Sequence, residues 1–378
     1  MSNLNPISSL LDHLDASPTA HHVVDWWRKQ LLEAGFSDCS LSGAFSGTLS
    51  AETGFVTRGG AIIAWKVAQK SLHNGFRIVG AHSDSPGLHI KPQPDKRFAT
   101  QSLLGVEIYG GPLLNSWLDR DLGIAGRLHF ADGTNQLVCI DEPVARIAQL
   151  AIHLDREISE KGLILHRQNH MKPIWGTDTS LQFSKWICEK SSASESLLTG
   201  FELQLFDTQK SAVLGSSSEF LVSGRLDNQV SCWSAIASII QNSDPKKPVI
   251  VALFDHEEVG SESINGAAGP LLEHVLGELM LRRNCTQGFA AIAKKSVMVS
   301  ADNAHAIHPN YPEKHDQHHA PMVNLGPAIK RNANQRYATN GELASRVVAA
   351  ARRAHIPTQE FAANNAMPCG STIGPIAA

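Results

Sequence analysis

From Ser17-Pro18 onward, apolar side chains return at Val23, Trp27, Leu31 and Ala34, the spacing of one helix face, until Gly35 offers a stop. This predicts an amphipathic N-terminal helix. Two short, unbroken apolar runs follow at residues 61–67 and 76–81, bounded by turn residues as buried strands are, and the second leads directly into His82-Ser83-Asp84-Ser85-Pro86. From about Lys91 to Phe220 the pattern turns β-rich, with strands expected at 106–109, 124–130, 137–140 and 201–206 around one helical stretch, 144–160. Strand and helix then alternate: helix 228–241, strand 249–254, helix 270–281, strand 296–300 and helix 341–355. The pattern predicts an α/β fold, a mixed central sheet flanked by helices. Its catalytic domain is discontinuous (1–90 and 221–378), with a β-rich domain inserted at 91–220.

Composition narrows the function without naming it. A chain of 378 residues, 42% apolar, exceeds the usual limit of one core, in keeping with two domains. The formal charge of −3 leaves no sequence-wide basic field, so nucleic acid is not an expected partner. No apolar run approaches the roughly 20 residues that cross a bilayer, and residues 1–15 lack a basic segment followed by an apolar one. Neither membrane association nor export is expected, and the location is read as cytoplasmic. Six scattered cysteines without a Cys-x-x-Cys pair read as reduced thiols rather than a disulfide framework or thiolate zinc site.

Chemistry gathers where predicted strands and helices end. His82 with Asp84, Asp227 opening a helix, Glu257-Glu258 after one strand and Asp302 after another are hard metal-binding side chains on four separate segments. Singly, each has an ordinary explanation: a hydrogen-bonded structural histidine, a helix cap, a solvated pair in a first helical turn. Together these explanations weaken: each strand that delivers the groups is apolar and expected to be central in the sheet, and carboxylates and imidazole converging on one rim would repel unless cations neutralise them. Adjacent glutamates also suit a division of labour, one holding metal and its neighbour moving a proton.

The motifs around these residues are more specific. Gly80-Ala81-His82-Ser83-Asp84-Ser85-Pro86, Trp117-Leu118-Asp119-Arg120-Asp121-Leu122, Arg225-Leu226-Asp227-Asn228 and Asp255-His256-Glu257-Glu258-Val259-Gly260-Ser261 follow one another along the chain. Ser300-Ala301-Asp302-Asn303-Ala304-His305, Gln335-Arg336-Tyr337 and Cys369-Gly370-Ser371-Thr372-Ile373-Gly374-Pro375 complete the series. In this order they resemble the aspartyl aminopeptidases, metal-dependent enzymes of zinc exopeptidase-like fold that release N-terminal Asp or Glu from peptides.

The resemblance implies two zinc ions per subunit, other divalent metals being acceptable, with His82 and Asp302 on one, Asp227 bridging and Glu258 helping to hold the second. Glu257 becomes the general base, and Asp84 fixes the His82 tautomer. Lys330 and Tyr337 belong to the substrate pocket, Lys330 meeting the acidic side chain. His305 contacts the substrate carbonyl or the attacking water. His153 serves from a neighbouring subunit, near the substrate or as a metal ligand, in a homo-oligomer assembled through the inserted domain. The family pattern also continues past Ala378 with a strand, a Met-His-Ser segment and a closing helix. The catalytic domain is therefore expected to be incomplete at its C-terminus, and two rival functions stand beside the first: a weakly active or non-catalytic subunit of the family, and another two-metal amidohydrolase.

Overall fold

The computed structural model describes residues 5–40, 51–67, 72–243 and 245–367; the segment 369–375 named above lies outside them. Helix α1 (Pro6–Ala16) is capped by the Asn5 side chain, and α2 (Ala20–Glu33) by Thr19, each accepting from a backbone N–H two or three residues on. The predicted N-terminal helix is α2. Its core face carries Val23, Trp27 and Leu31.

Strands β1 (Ser37–Asp38), β2 (Thr53–Arg58), β3 (Ala61–Lys66) and β4 (Arg77–His82) begin a first sheet. The chain then leaves for a second, all-antiparallel sheet built from β5 (Gly87–Phe98), β6 (Gln101–Tyr109), β7 (Leu122–Phe130), β8 (Asn135–Ala145), β9 (Ile174–Gly176) and β10 (Leu198–Asp207). Two helices, α3 (Ile158–Lys161) and α4 (Phe183–Ser191), accompany it, and the hairpin β11 (Ala212–Leu214) and β12 (Phe220–Val222) follows. Helix α5 (Leu226–Gln241) and β13 (Val249–Phe254) return the chain to the first sheet. Helices α6 (Leu271–Arg282) and α7 (Phe289–Ala293) then precede β14 (Val297–Ser300). A small parallel pair, β15 (Ala328–Arg331) and β16 (Gln359–Ala362), brackets α8 (Gly341–Arg353).

The first sheet runs β1-β2-β3-β13-β4-β14 and is mixed: β4 lies parallel to both β13 and β14, while β3 is antiparallel to β13. Alternation sends Ile63, Trp65, Ile250, Ala252 and Phe254 to one face, against Leu272, Val275 and Leu279 of α6. Ile62, Ala64, Val251 and Leu253 face the other way, against α2 and against Ile236 and Ile239 of α5. Burial on both faces explains why these strands read as unbroken apolar runs. Truncating a side chain such as Leu253, fully buried, removes about 2–5 kcal/mol. The second sheet packs its own core, including Leu88, Leu104, Leu128, Phe183 and Leu203.

Two expectations are corrected. Residues 144–160 form no continuous helix: β8 runs on to Ala145, and only a 3-10 turn at Ile152–Leu154 and the short α3 follow. Their apolar spacing suits a helix, but Leu150, Ile152 and Leu154 are exposed, and a helix with no face to bury gains little from packing. Strand β14, expected to be central, is an edge of the first sheet among the described residues. The limits 90/91 and 220/221 fall inside β5 and β12. Among the described residues, no helix is long and apolar enough to cross a membrane.

Candidate metal centre

Parallel β13, β4 and β14 end on one rim, where their last carbonyls need partners. Ser83 donates its backbone N–H to Phe254 O at 2.7 Å, and Ala301 donates to Gly80 O at 2.8 Å, so the three strand ends stay in register. Helix α5 is pinned beneath them. Gln229 Nε2 donates to Ser83 O at 2.7 Å, Asn228 Nδ2 to Ala301 O at 2.8 Å, and Asn303 Nδ2 to Leu226 O at 2.6 Å. These bonds fix Asp227 opposite His82.

His82 is buried, and its Nδ1 lies 3.1 Å from Asp84 O and 3.3 Å from Asp84 Oδ1. A proton on Nδ1 satisfies both and leaves Nε2 turned to the rim, 3.5 Å from Asp227 Oδ1 and 4.0 Å from Glu257 Oε2. Two groups of ligand atoms share this imidazole, each within 4.8 Å: His82 with Asp227 and Asp302, and His82 with Glu257 and Glu258.

The cluster draws positive charge to itself. Burial pushes the Glu257 and Glu258 carboxyls up, Glu258 to about 7, and neighbouring carboxylates add to the shift. Burial also raises Asp302, whereas Asp227, hydrogen-bonded by His82, is held low despite its desolvation. Burial would depress the His82 imidazolium, yet Asp227, Asp84 and Glu257 outweigh it and hold it well above its ordinary value. Protons stand where positive charge is demanded. A donor set of one imidazole and clustered carboxylates fits zinc, which takes nitrogen and oxygen ligands.

The remaining predicted residues divide. Lys330 Nζ donates to Asp302 Oδ2 and to Asn303 O, each at 3.1 Å, and lies 5.7 Å from the Tyr337 ring centre. His305 packs against His315 and Phe361, and with Tyr337 these line a cavity of about 300 Å³. His153 stands apart on its exposed 3-10 turn, and among the described residues no hydrogen bond or ion pair joins it to the cluster. Sequence reading missed Tyr109, whose hydroxyl donates to Asp84 Oδ2 at 2.6 Å. It is 25 residues from its partner, in a strand whose pattern signals only packing.

Residues 13–378 match the family described as aminopeptidase I zinc metalloprotease (M18). The chain is 44% identical over 379 residues to a probable M18 family aminopeptidase 2 of Streptomyces coelicolor, covering 98% of this chain and 87% of that one. Its fold superposes on a chain of the cryo-EM structure of the Ape4 and Nbr1 complex at a TM-score of 0.91 and 32% identity, over 98% of this chain and 77% of that one. It also superposes on a subunit of the S. cerevisiae mApe1 dodecamer at a TM-score of 0.82 and 26% identity, over 98% and 86%. With a matching family over nearly its whole length and a zinc-competent rim, the chain belongs to the M18 family of zinc metallo-aminopeptidases.

Proposed function

We propose that this aminopeptidase releases N-terminal Asp or Glu from peptides. The observation that carries the reading is Lys330, an ammonium only 16% exposed that is bonded to Asp302 at the edge of the ligand cluster. A buried ammonium needs a carboxylate partner. Asp302 fills that role here, and an acidic substrate side chain can take it over when Asp302 turns to metal ligation.

His82 and Asp302 would hold one zinc, Glu258 would help to hold a second, and Asp227 would serve both. Zinc, when bound, supplies Lewis acidity that polarises the scissile carbonyl and acidifies water. Glu257 takes a proton from the attacking water onto its carboxylate and delivers it to the leaving amine nitrogen as the peptide C–N bond breaks. Its raised pKa brings it nearer the neutral range that suits such a shuttle. Tyr337, beside Lys330, would wall the side-chain pocket, and His305 would face the substrate carbonyl.

Residues 91–220 act in this reading as an inserted oligomerisation unit, with His153 reaching a neighbouring subunit's site. Exposed Leu150, Ile152 and Leu154 beside it are apolar surface of the kind that subunit contacts cover. A cytoplasmic location agrees with the free thiols among the described residues, Cys39, Cys139, Cys188, Cys232 and Cys285. The test is Glu257→Gln: turnover of Asp-initiated peptides should fall at least about 100-fold with zinc content unchanged. Loss of zinc with activity would make Glu257 a ligand and remove its role as base.

A further inference from the structure

Asp84 is the most fully engaged carboxylate on the rim. Its Oδ1 faces His82 Nδ1 at 3.3 Å and accepts the Glu257 backbone N–H at 3.1 Å. Its Oδ2 accepts the Glu258 N–H at 3.1 Å and the Tyr109 hydroxyl at 2.6 Å. One side chain thus joins His82, the turn carrying both glutamates and the last residue of β6. The first three contacts lie within the first sheet and its connections. Tyr109 comes from the second sheet.

Tyr109 is itself held in place. The His89 ring stacks on it with centroids 4.5 Å apart and planes 6° from parallel, and His256 approaches its edge at 6.4 Å. Burial and the Asp84 charge push its hydroxyl far above the ordinary tyrosine value, so it remains a donor. Gly110, next in the chain, has φ +67° and lies so close that an added Cβ would stand 3.0 Å from Glu258 Cβ. The end of β6 therefore rests directly on the glutamate turn.

Without the Tyr109 hydroxyl, Oδ2 would keep only the 3.1 Å bond from the Glu258 N–H, a donor on the same turn that the carboxylate positions. The 2.6 Å bond from Tyr109 anchors Oδ2 to the second sheet, independently of that turn, so that carboxylate, imidazole and turn cannot shift together. We propose that Tyr109 is a positioning residue of the zinc centre, through which the second sheet sets the orientation of His82 and of the Glu257-Glu258 turn. The proposal rests on the reading of His82 as a zinc ligand.

Tyr109→Phe in the full chain removes the hydroxyl and keeps the ring and its stack. Chelator competition should show zinc held about 3- to 10-fold more weakly, at or below the low end of the range for loss of a group bonded to a metal ligand, because Tyr109 acts through Asp84. The visible spectrum of the cobalt-substituted protein should shift, and kcat should fall while KM changes little. Leu104→Ala, in the second sheet's own core, is the packing control, expected to lower the melting temperature with zinc affinity unchanged. Equal loss of zinc affinity in both variants would reduce Tyr109 to packing and overturn the proposal. So would a Tyr109→Phe protein with parental zinc affinity and cobalt spectrum, whatever its melting temperature. His82→Ala separates the two ideas. Zinc lost there but unmoved in Tyr109→Phe sinks only the proposal, and zinc retained in His82→Ala sinks the ligand reading with it.

Discussion

Replacing Lys330 with Met keeps an apolar stem beside Tyr337 and removes one charge. Lys330 and Asp302 are 16% and 15% exposed, so their attraction at 3.1 Å is largely shielded from bulk water. At an effective dielectric near 20, such a pair has a gross Coulomb energy of about 5 kcal/mol. Desolvation consumes part of it, and truncating one partner of a buried pair costs on the order of 2–5 kcal/mol. Because the pocket edge is not fully dry, about 2–3 kcal/mol is the working figure, or about 30- to 150-fold in kcat/KM. That loss should fall on Asp- and Glu-initiated substrates and spare Ala- and Leu-initiated ones. Zinc content should hold or rise, because the variant also removes the ammonium that competes for Asp302. The assay is kcat/KM on four aminoacyl anilides beside metal analysis of the same samples. Equal losses on all four, with zinc retained, would refute the carboxylate-binding role of Lys330.

Stability of the zinc-free protein should fall as pH rises from about 4.5 to 7, because Glu258 is pushed up to about 7 and the folded state holds its proton more tightly than the unfolded chain. Partial exposure of Glu258 reduces that contribution to about 1–2 kcal/mol. Zinc needs the ligands deprotonated, so the melting-temperature gap between zinc-loaded and chelator-treated protein should widen from pH 5 to 8; a narrowing gap would contradict this. Gly126→Ala sets a Cβ 2.0 Å from Glu202 O at φ +147° and should break the pairing of β7 with β10, costing about 1–3 kcal/mol in a denaturant titration. Charging the exposed strap by Ile152→Asp with Leu154→Asp should give smaller particles by sedimentation and lower activity per subunit. Full activity in a monomer would remove His153 from the mechanism.

The elements of the first sheet were legible because its strands are buried on both faces: the runs at residues 61–67 and 249–254 correspond to β3 and β13 within a residue. Ordered motifs led to the family, which the match over residues 13–378 bears out. They work because a metal ligand must follow a strand end that delivers it, and that constraint is local. The stretch 144–160 failed for the opposite reason. Its apolar spacing suits a helix, but spacing cannot say whether a partner face exists, and without one β8 continued and only a 3-10 turn and the short α3 followed.

Convergence was decided only by the tertiary structure. Lys330 and Asp302 are 28 residues apart and Tyr109 and Asp84 are 25, on strands and strand-end turns that no periodicity pairs. Sequence named candidate ligands by residue type. The parallel register of β13, β4 and β14, pinned by Asn228, Gln229 and Asn303, turned His82 Nε2 toward Asp227 and set the second sheet's tyrosine behind it. Side-chain chemistry is carried by each residue alone. The distance between two charges depends on how the whole chain packs, and that distance governs the strength of each interaction on the rim.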